Sequence, residues 1–302
     1  MDCIVLAGNR ENYRSVARED NKAFLKVGGR SILHIILEEL RAVDRVDRVL
    51  VVGPKDRLQE EVGTHLVAAY PKPLLFYQQG RNLVENILGT VAASATGVTD
   101  RVVMVIPSDI PLITCEELNQ FIDRCDMDAY DYVGGITSAH VLARYAPQAD
   151  QPGVTMATFR LNSGSYRVSN LHLVRPAAVK RADYIRQTYA LRYQKQLANI
   201  AKMWLVLLGL LWRVPTAPFY FLVAQGARHC EVWGYQRLAK YLSGFVTLSR
   251  AEGYISSILG TRFKVVETDF GGAAVDVDNE ADYHTISRRF DEWRRMQRRR
   301  LT

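Results

Sequence analysis

Residues 101–111, RVVMVIPSDIP, decide the architecture of this chain. A continuous apolar run that ends at a proline indicates a strand buried on both faces, which is typical of a parallel sheet covered by helices. Ligands bind such sheets beyond the carboxyl ends of the strands. Asp109 follows the strand between Pro107 and Pro111, so its carboxylate is a candidate metal ligand. The alternative is a loop aspartate that caps the helix beginning after Thr114.

The same pattern extends outward on both sides of this strand. Apolar runs separated by helical periodicity predict further strands at 2–7, 48–52, 74–77, 131–136 and 262–267. Two more strands are predicted at 155–161 and 167–174, joined by a turn. Strands that alternate with helices predict an α/β fold with a Rossmann-like, mostly parallel sheet.

The composition is that of a globular protein. The 302 residues are 48% hydrophobic and 24% charged, which is enough apolar material for one core, and we expect a single domain over 1–302. Four cysteines without a CxxC pair predict reduced thiols, and the absence of a signal-peptide pattern predicts a soluble, cytoplasmic protein. The six histidines lack ligand spacing, which argues against a histidine metal site.

The net charge of +7 is concentrated in two stretches, 180–202 and a basic C-terminal helix at about 280–300. Both suit anionic ligands or a membrane surface, and the C-terminal stretch is equally well explained as a solvated helix end. Aromatic platforms are not interleaved with the basic residues, so no specific nucleic-acid partner is expected.

A helical insert is predicted at about 180–243. Residues 203–224, MWLVLLGLLWRVPTAPFYFLVA, are long enough to span a bilayer. However, Arg213 near the centre costs about 2.5–3.5 kcal/mol on insertion, and Pro215 and Pro218 break the helix, so no span is expected. The open alternatives are packing on the chain's own domain, a homodimer contact, and peripheral membrane contact through 180–225.

A phosphate-sized loop follows the first strand. Leu6, Ala7 and Gly8 end the strand, and after the loop comes 21–33, NKAFLKVGGRSIL. Backbone N–H groups in such a loop can hold a triphosphate, and Lys22 can neutralise its charge.

A second acidic segment, 275–283 (VDVDNEADY), precedes the C-terminal helix. Alternation along an extended chain puts Asp276 and Asp278 on one face, so both can approach the metal of Asp109. Asp278 is the favoured ligand because it immediately precedes the helix. It is also a candidate N-cap of that helix.

In this order, the three segments resemble the MobA-like NTP transferase family, which includes the molybdenum-cofactor guanylyl- and cytidylyltransferases. Its motifs read LAGGxGxRxG, PKxLLPVxGxPLL, GDxPxL and DxDTPED. The resemblance implies a GT-A-like nucleotidyltransferase sheet that carries a helical insert. It further implies nucleotide contacts from Leu6, Ala7 and Gly8, a phosphate contact from Lys22, and Mg²⁺ on Asp109.

The chain departs from the family pattern at the glycine loop. Asn9 and Glu11 stand where glycines are usual, and Asn21 replaces the proline before Lys22. The arginine of the loop is expected to be Arg14 or Arg10.

Two softer groups complete the resemblance. Asn82 and Asn86, at i and i+4 of a helix that begins after the third strand, are expected at the base and ribose, with a plain capping role as the alternative. Residues around the turn at 162–165 are expected to bind the phosphate of the acceptor, or to be ordinary exposed polar residues. These candidates are Arg160, Tyr166, Arg167 and Asn170.

The sequence therefore predicts a Mg²⁺-dependent nucleotidyltransferase. Lys22, Asp109 and Asp278 are the catalytic candidates, and an NMP moiety passes from an NTP to a small phosphorylated acceptor with release of pyrophosphate. One alternative is a non-catalytic nucleotide-binding protein, which the altered glycine loop favours. The other is a glycosyltransferase that uses a nucleotide sugar and a DxD motif, whose form Asp276-Val277-Asp278 has.

Overall fold

The computed structural model describes residues 1–9, 15–94, 100–185 and 216–298. The strands are β1 (Asp2–Leu6), β2 (Lys26–Val27), β3 (Arg30–Ser31), β4 (Arg48–Gly53), β5 (Leu74–Gln78), β6 (Val103–Pro107), β7 (Tyr132–Ser138), β8 (Phe159–Leu161), β9 (Gly164–Val174) and β10 (Phe263–Glu267). The helices are α1 (Ile32–Arg41), α2 (Lys55–Ala69), α3 (Leu83–Ala93), α4 (Cys115–Arg124), α5 (Ala139–Leu142), α6 (Ala217–Val232), α7 (Gln236–Ser243), α8 (Leu248–Leu259) and α9 (Glu280–Arg298).

The central sheet has the order β10-β7-β9-β6-β1-β4-β5, with β8 paired to β9. Strand β1 runs parallel to β4 and β6, β4 is parallel to β5, and β7 is parallel to β10. Strand β9 lies antiparallel between β6 and β7. The predicted mostly parallel α/β sheet is thereby confirmed.

The ends of β1 and β6 lie at one level of the sheet. Leu6 is in register with Pro107, and the backbone N–H of Ser108 donates to the carbonyl of Leu6 at 3.1 Å. The loops that leave these two strands, one toward Gly8 and one toward Asp109, therefore begin side by side.

The helices begin where short polar side chains cap them. The side-chain oxygens of Ser31, Asn82, Thr114 and Thr247 each accept a bond from a backbone N–H in the first turn of α1, α3, α4 and α8, respectively. Such caps satisfy donors that have no partner inside the helix. The capping residues are visible in the sequence, which is why these helix starts are predictable.

The C-terminal helix α9 is part of the core as well as a basic surface. Trp293 is fully buried and packs edge-on against Tyr145, with 5.4 Å between ring centroids. Arg294 is also buried, where it pairs with Glu39 and donates to the carbonyl of Ile113 at 2.7 Å. Some of the positive charge at 280–300 is therefore structural, and solvation of a helix end does not account for it.

The strand predicted at 155–161 is shorter than expected and covers only Phe159–Leu161. Strand β8 pairs with β9 only next to the turn, where Phe159, Arg160 and Leu161 lie opposite Tyr166, Ser165 and Gly164. The pairing does not continue to Arg167, whose side chain instead donates to the carbonyl of Ala157 at 3.4 Å.

Of the predicted insert, the structure describes α6 and α7. The apolar run at 203–212, Arg213 and Pro215 lie outside the described residues. Among the residues that are described, no helix is both long and apolar enough to cross a membrane.

Candidate functional site

Three carboxylates meet beyond the end of β6. Asp109 is the second residue after β6, and the segment that holds Asp276 and Asp278 runs beside it. The backbone N–H of Val277 donates to the carbonyl of Asp109 at 2.9 Å and joins the two segments. One oxygen from each of the three carboxylates lies within 4.8 Å of the others.

Lys22 is presented by a short 3-10 helix, Lys22–Phe24, that Asn21 attaches to the end of β1. The Asn21 side chain donates to the carbonyl of Ala7 at 2.8 Å and accepts from the N–H of Ala23 at 2.9 Å. Asn21 is buried, so it replaces the proline of the family motif with two hydrogen bonds that hold the turn.

The Lys22 ammonium contacts two of the carboxylates. Its Nζ lies 2.9 Å from Oδ2 of Asp109 and 3.3 Å from Oδ1 of Asp278. Asp109 is 8% exposed, so this charge pair is shielded from water and is stronger than a surface pair. The predicted catalytic residues are therefore adjacent in space.

Arg167 holds the third carboxylate. Its guanidinium lies 2.7 Å from Oδ1 of Asp276 and donates to the carbonyl of Ala274 at 2.9 Å. Burial and the neighbouring charges of Asp109 and Asp278 raise the pKa of Asp276 to about 6, against the opposing effect of Arg167. We predicted Arg167 near the acceptor, whereas its observed contacts orient Asp276.

The donor set fits a hard divalent cation. Asp109, Asp276 and Asp278 offer oxygen ligands only, and Mg²⁺ prefers one or two carboxylates together with phosphate oxygens and water. The negative charges of the three carboxylates exceed the positive charges of Lys22 and Arg167 by one, which favours binding of a cation.

The side of the site toward β5 is formed by the loop after β1. Leu6 ends β1, Ala7 is buried, and Gly8 follows. A Cβ atom added at Gly8 would lie 3.0 Å from Oε1 of Gln79, so a larger residue at this position would have to displace the Gln79 amide. The same Oε1 accepts from the N–H of Asn9 at 2.7 Å.

Gln79 was not predicted as a site residue. It comes directly after β5, and in a parallel sheet the residue after each strand belongs to the ligand-binding edge. That position was the available signal in the sequence.

Asn82 and Asn86 shape the turn before α3. Asn82 is the N-cap and accepts from the N–H of Glu85 at 3.0 Å, and Oδ1 of Asn86 accepts from the N–H of Gly80 at 2.6 Å. Nδ2 of Asn86 lies 3.5 Å from the Cβ position at Gly8, so this residue faces the nucleotide loop. Arg14 and Arg10 lie outside the described residues.

The predicted acceptor residues divide into two sets. Asn170 donates to the carbonyl of Ala273 at 2.9 Å and, like Arg167, supports the segment before Asp276. Arg160 and Tyr166 lie on the β8–β9 ribbon, opposite Ser165 and Phe159, respectively.

Asn279, and not Asp278, caps the start of α9. Its Oδ1 accepts from the N–H of Asp282 at 3.0 Å, and the side chain of Asp278 turns toward Lys22. The two roles predicted for Asp278 are therefore divided, because Asn279 caps the helix and Asp278 remains a candidate metal ligand. Glu280 accepts from the N–H of Ala17 at 2.8 Å and ties the loop after β1 to the helix.

Comparisons with known proteins agree with this geometry. A family model described as the MobA-like NTP transferase domain matches residues 3–161. A solved structure of a hypothetical transferase from Thermus thermophilus is similar with a TM-score of 0.60 and 22% identity, and covers 93% of this chain and 98% of that one. A CMP:2-keto-3-deoxy-manno-octonic acid synthetase complexed with CTP is similar with a TM-score of 0.51 and 10% identity, and covers 96% and 98%. At these identities the likeness shows the fold. No curated protein matches the chain.

Proposed function

The chain belongs to the MobA-like NTP transferase family, and on that premise we propose that it transfers an NMP moiety from an NTP to a small phosphorylated acceptor. The observation that carries this proposal is the meeting of Lys22, Asp109, Asp276 and Asp278 beyond the ends of β1 and β6. The site draws on both ends of the chain, which supports the proposal of a single domain over 1–302.

The reaction needs no nucleophile from the protein. An oxygen of the acceptor phosphate forms a bond to the α-phosphorus, and the bond from that phosphorus to the bridging oxygen breaks. The electron pair leaves with pyrophosphate. Negative charge accumulates at the α-phosphate and on the leaving group, so positioning and charge neutralisation supply the catalysis.

Each residue of the site has a role in this reaction. Lys22 binds the phosphates, and backbone N–H groups of the loop after Gly8 hold the triphosphate. Asp109, Asp276 and Asp278 would hold Mg²⁺, which when bound supplies charge neutralisation at the phosphate oxygens. Arg167 orients Asp276 by donating to one of its carboxylate oxygens, Oδ1, and leaves the other oxygen available to a metal ion.

Thermal unfolding with each of the four NTPs, with and without Mg²⁺, tests the proposal. A ligand that binds only the native state stabilises it by about 2.7 kcal/mol at a concentration of 100 Kd. We expect at least one NTP to raise the thermal midpoint of the protein, and to do so only when Mg²⁺ is present. Stabilisation by a nucleotide sugar alone would favour the glycosyltransferase. NTP binding without release of pyrophosphate from the NTP in the presence of any phosphorylated acceptor would favour the non-catalytic alternative.

A further inference from the structure

A helical hairpin of α6 and α7 exposes large apolar side chains. On α6 they recur at helical spacing along one face: Phe219 and Leu222 are 60% and 67% exposed, and Trp233, just past the helix, is 70% exposed. His229 lies on the same face and contacts the Trp233 ring, with centroids 6.0 Å apart. Spacings of i, i+3, i+10 and i+14 align these residues in one stripe.

Helix α7 continues the surface with a second stripe. Leu238, Tyr241 and Phe245 follow an i, i+3, i+7 spacing and are 49%, 66% and 41% exposed. The opposite side of α7 is buried at Ala239 and Ser243, so the helix has a packed side and an apolar outer side. We call the two stripes together the hairpin face. Isolated exposed apolar residues are ordinary on a protein, but two stripes of large exposed apolar side chains on one pair of contacting helices mark an interaction site.

The sequence of the hairpin carries more positive than negative charge. Between 216 and 247 the sequence has three basic residues, Arg228, Arg237 and Lys240, and one acidic residue, Glu231. Arg237 and Lys240 are exposed on α7 beside its apolar stripe. Their aliphatic stems can lie along an apolar phase while the charged ends remain in water.

We propose that the hairpin face docks on an anionic lipid bilayer surface. Tryptophan and tyrosine are enriched at membrane–water interfaces because their rings combine apolar and polar atoms, and flanking arginine and lysine complement anionic headgroups. The proposed contact is peripheral, because an amphipathic helix face lies in the plane of the membrane surface. Helix α6 packs on β8, so docking brings the β8–β9 ribbon to the membrane side of the protein.

Vesicle co-sedimentation of the full chain tests the proposal. Vesicles of phosphatidylcholine are compared with vesicles of phosphatidylcholine and phosphatidylglycerol in equal parts. Binding should require the anionic lipid and should weaken with salt. The double variant Trp233→Ser/Tyr241→Ser should bind more than about tenfold more weakly, since both side chains lose apolar burial. Lys240→Gln should weaken binding about fivefold, since one basic residue near an anionic surface contributes about 1 kcal/mol.

Leu88→Ser is the matched control, because Leu88 is 41% exposed on α3, outside the hairpin face. This variant should bind like the unmodified protein, and circular dichroism should show that all variants are folded. Failure to bind anionic vesicles, equal binding to both vesicle types, or an equal loss with Leu88→Ser would overturn the proposal. A dimer in analytical ultracentrifugation that Trp233→Ser/Tyr241→Ser dissociates would also overturn it, because the hairpin face would then be a contact between two copies.

Discussion

The Lys22 ammonium lies 2.9 Å from Oδ2 of Asp109, although 87 positions of sequence separate the two residues. A lysine between carboxylates occupies the position that a cation would take in the same cluster. We expect that a Mg²⁺ ion held by Asp109 would displace the Lys22 ammonium, which would then be available to the phosphates of an NTP. The predicted phosphate ligand and the predicted metal ligand are thus coupled through one ion pair.

Lys22→Ala should weaken Mg²⁺-dependent NTP binding at least about tenfold, since a charge-assisted contact to phosphate contributes about 1.5–3 kcal/mol. Lys26→Ala is the control, because Lys26 is an exposed residue of β2 only four positions away. Titration calorimetry with the NTP that stabilises the protein measures both. Equal weakening by the two substitutions would contradict the assignment of Lys22.

Asp109→Asn should abolish the dependence of NTP binding on Mg²⁺ and leave the fold intact. The carboxylate is lost, whereas the backbone carbonyl that accepts from Val277 is retained. The measurement is the shift in thermal midpoint with NTP, with and without Mg²⁺. Asp150→Asn, on an exposed loop, should behave like the unmodified protein. A full Mg²⁺-dependent shift in Asp109→Asn would show that the metal binds elsewhere.

Arg167→Ala should lower the free energy of unfolding by about 2 kcal/mol, because it leaves the mostly buried Asp276 without its charge partner. The effect should shrink in the Asp276→Ala background, where no carboxylate remains unpaired. Arg124→Ala breaks the more exposed pair with Asp269 and should cost less than about 1 kcal/mol. Urea denaturation measures the unfolding free energy of the four variants and of the unmodified protein. If Arg167→Ala cost the same in both backgrounds, Arg167 would not act through Asp276.

Stability should depend on pH through His172. Burial lowers the pKa of His172 to about 4 from about 6.5. As the pH falls below about 6.5, the unfolded chain therefore binds the proton before the folded one does. The stability that the neutral His172 side chain contributes to the folded state is complete above that pH and is lost as the pH falls toward 4. The difference in unfolding free energy between the unmodified protein and His172→Gln should thus narrow across this window.

The control for this titration is Leu88→Ser, because Leu88 is 41% exposed on α3 and its replacement changes no titratable group. The difference in unfolding free energy between this variant and the unmodified protein should stay constant with pH. A constant difference for His172→Gln as well would contradict a lowered pKa of His172.

Much of the fold and the site follows from local sequence signals. The apolar runs of β1, β4 and β6 predict strands, and a parallel sheet aligns the residues that follow them. Asp109 and the end of β1 could therefore be placed together without coordinates.

The roles of Arg167, Gln79 and Asn279 depend on contacts that the sequence does not display. Arg167 faces Asp276 only because β9 inserts antiparallel between β6 and β7, a pairing that strand periodicity alone does not specify. Gln79 meets Asn9 through the packing of two loops. Asn279 and Asp278 are both good capping residues, and the direction of the chain after Val277 decides between them.

Transfer of an α-phosphorus label from the NTP tests the central claim most directly. With Mg²⁺ and a phosphorylated acceptor, we predict that the label moves to the acceptor in equal amount with released pyrophosphate, and that Asp109→Asn transfers none. Label that remains in the nucleotide with every acceptor, or release of orthophosphate in place of pyrophosphate, would contradict nucleotidyl transfer.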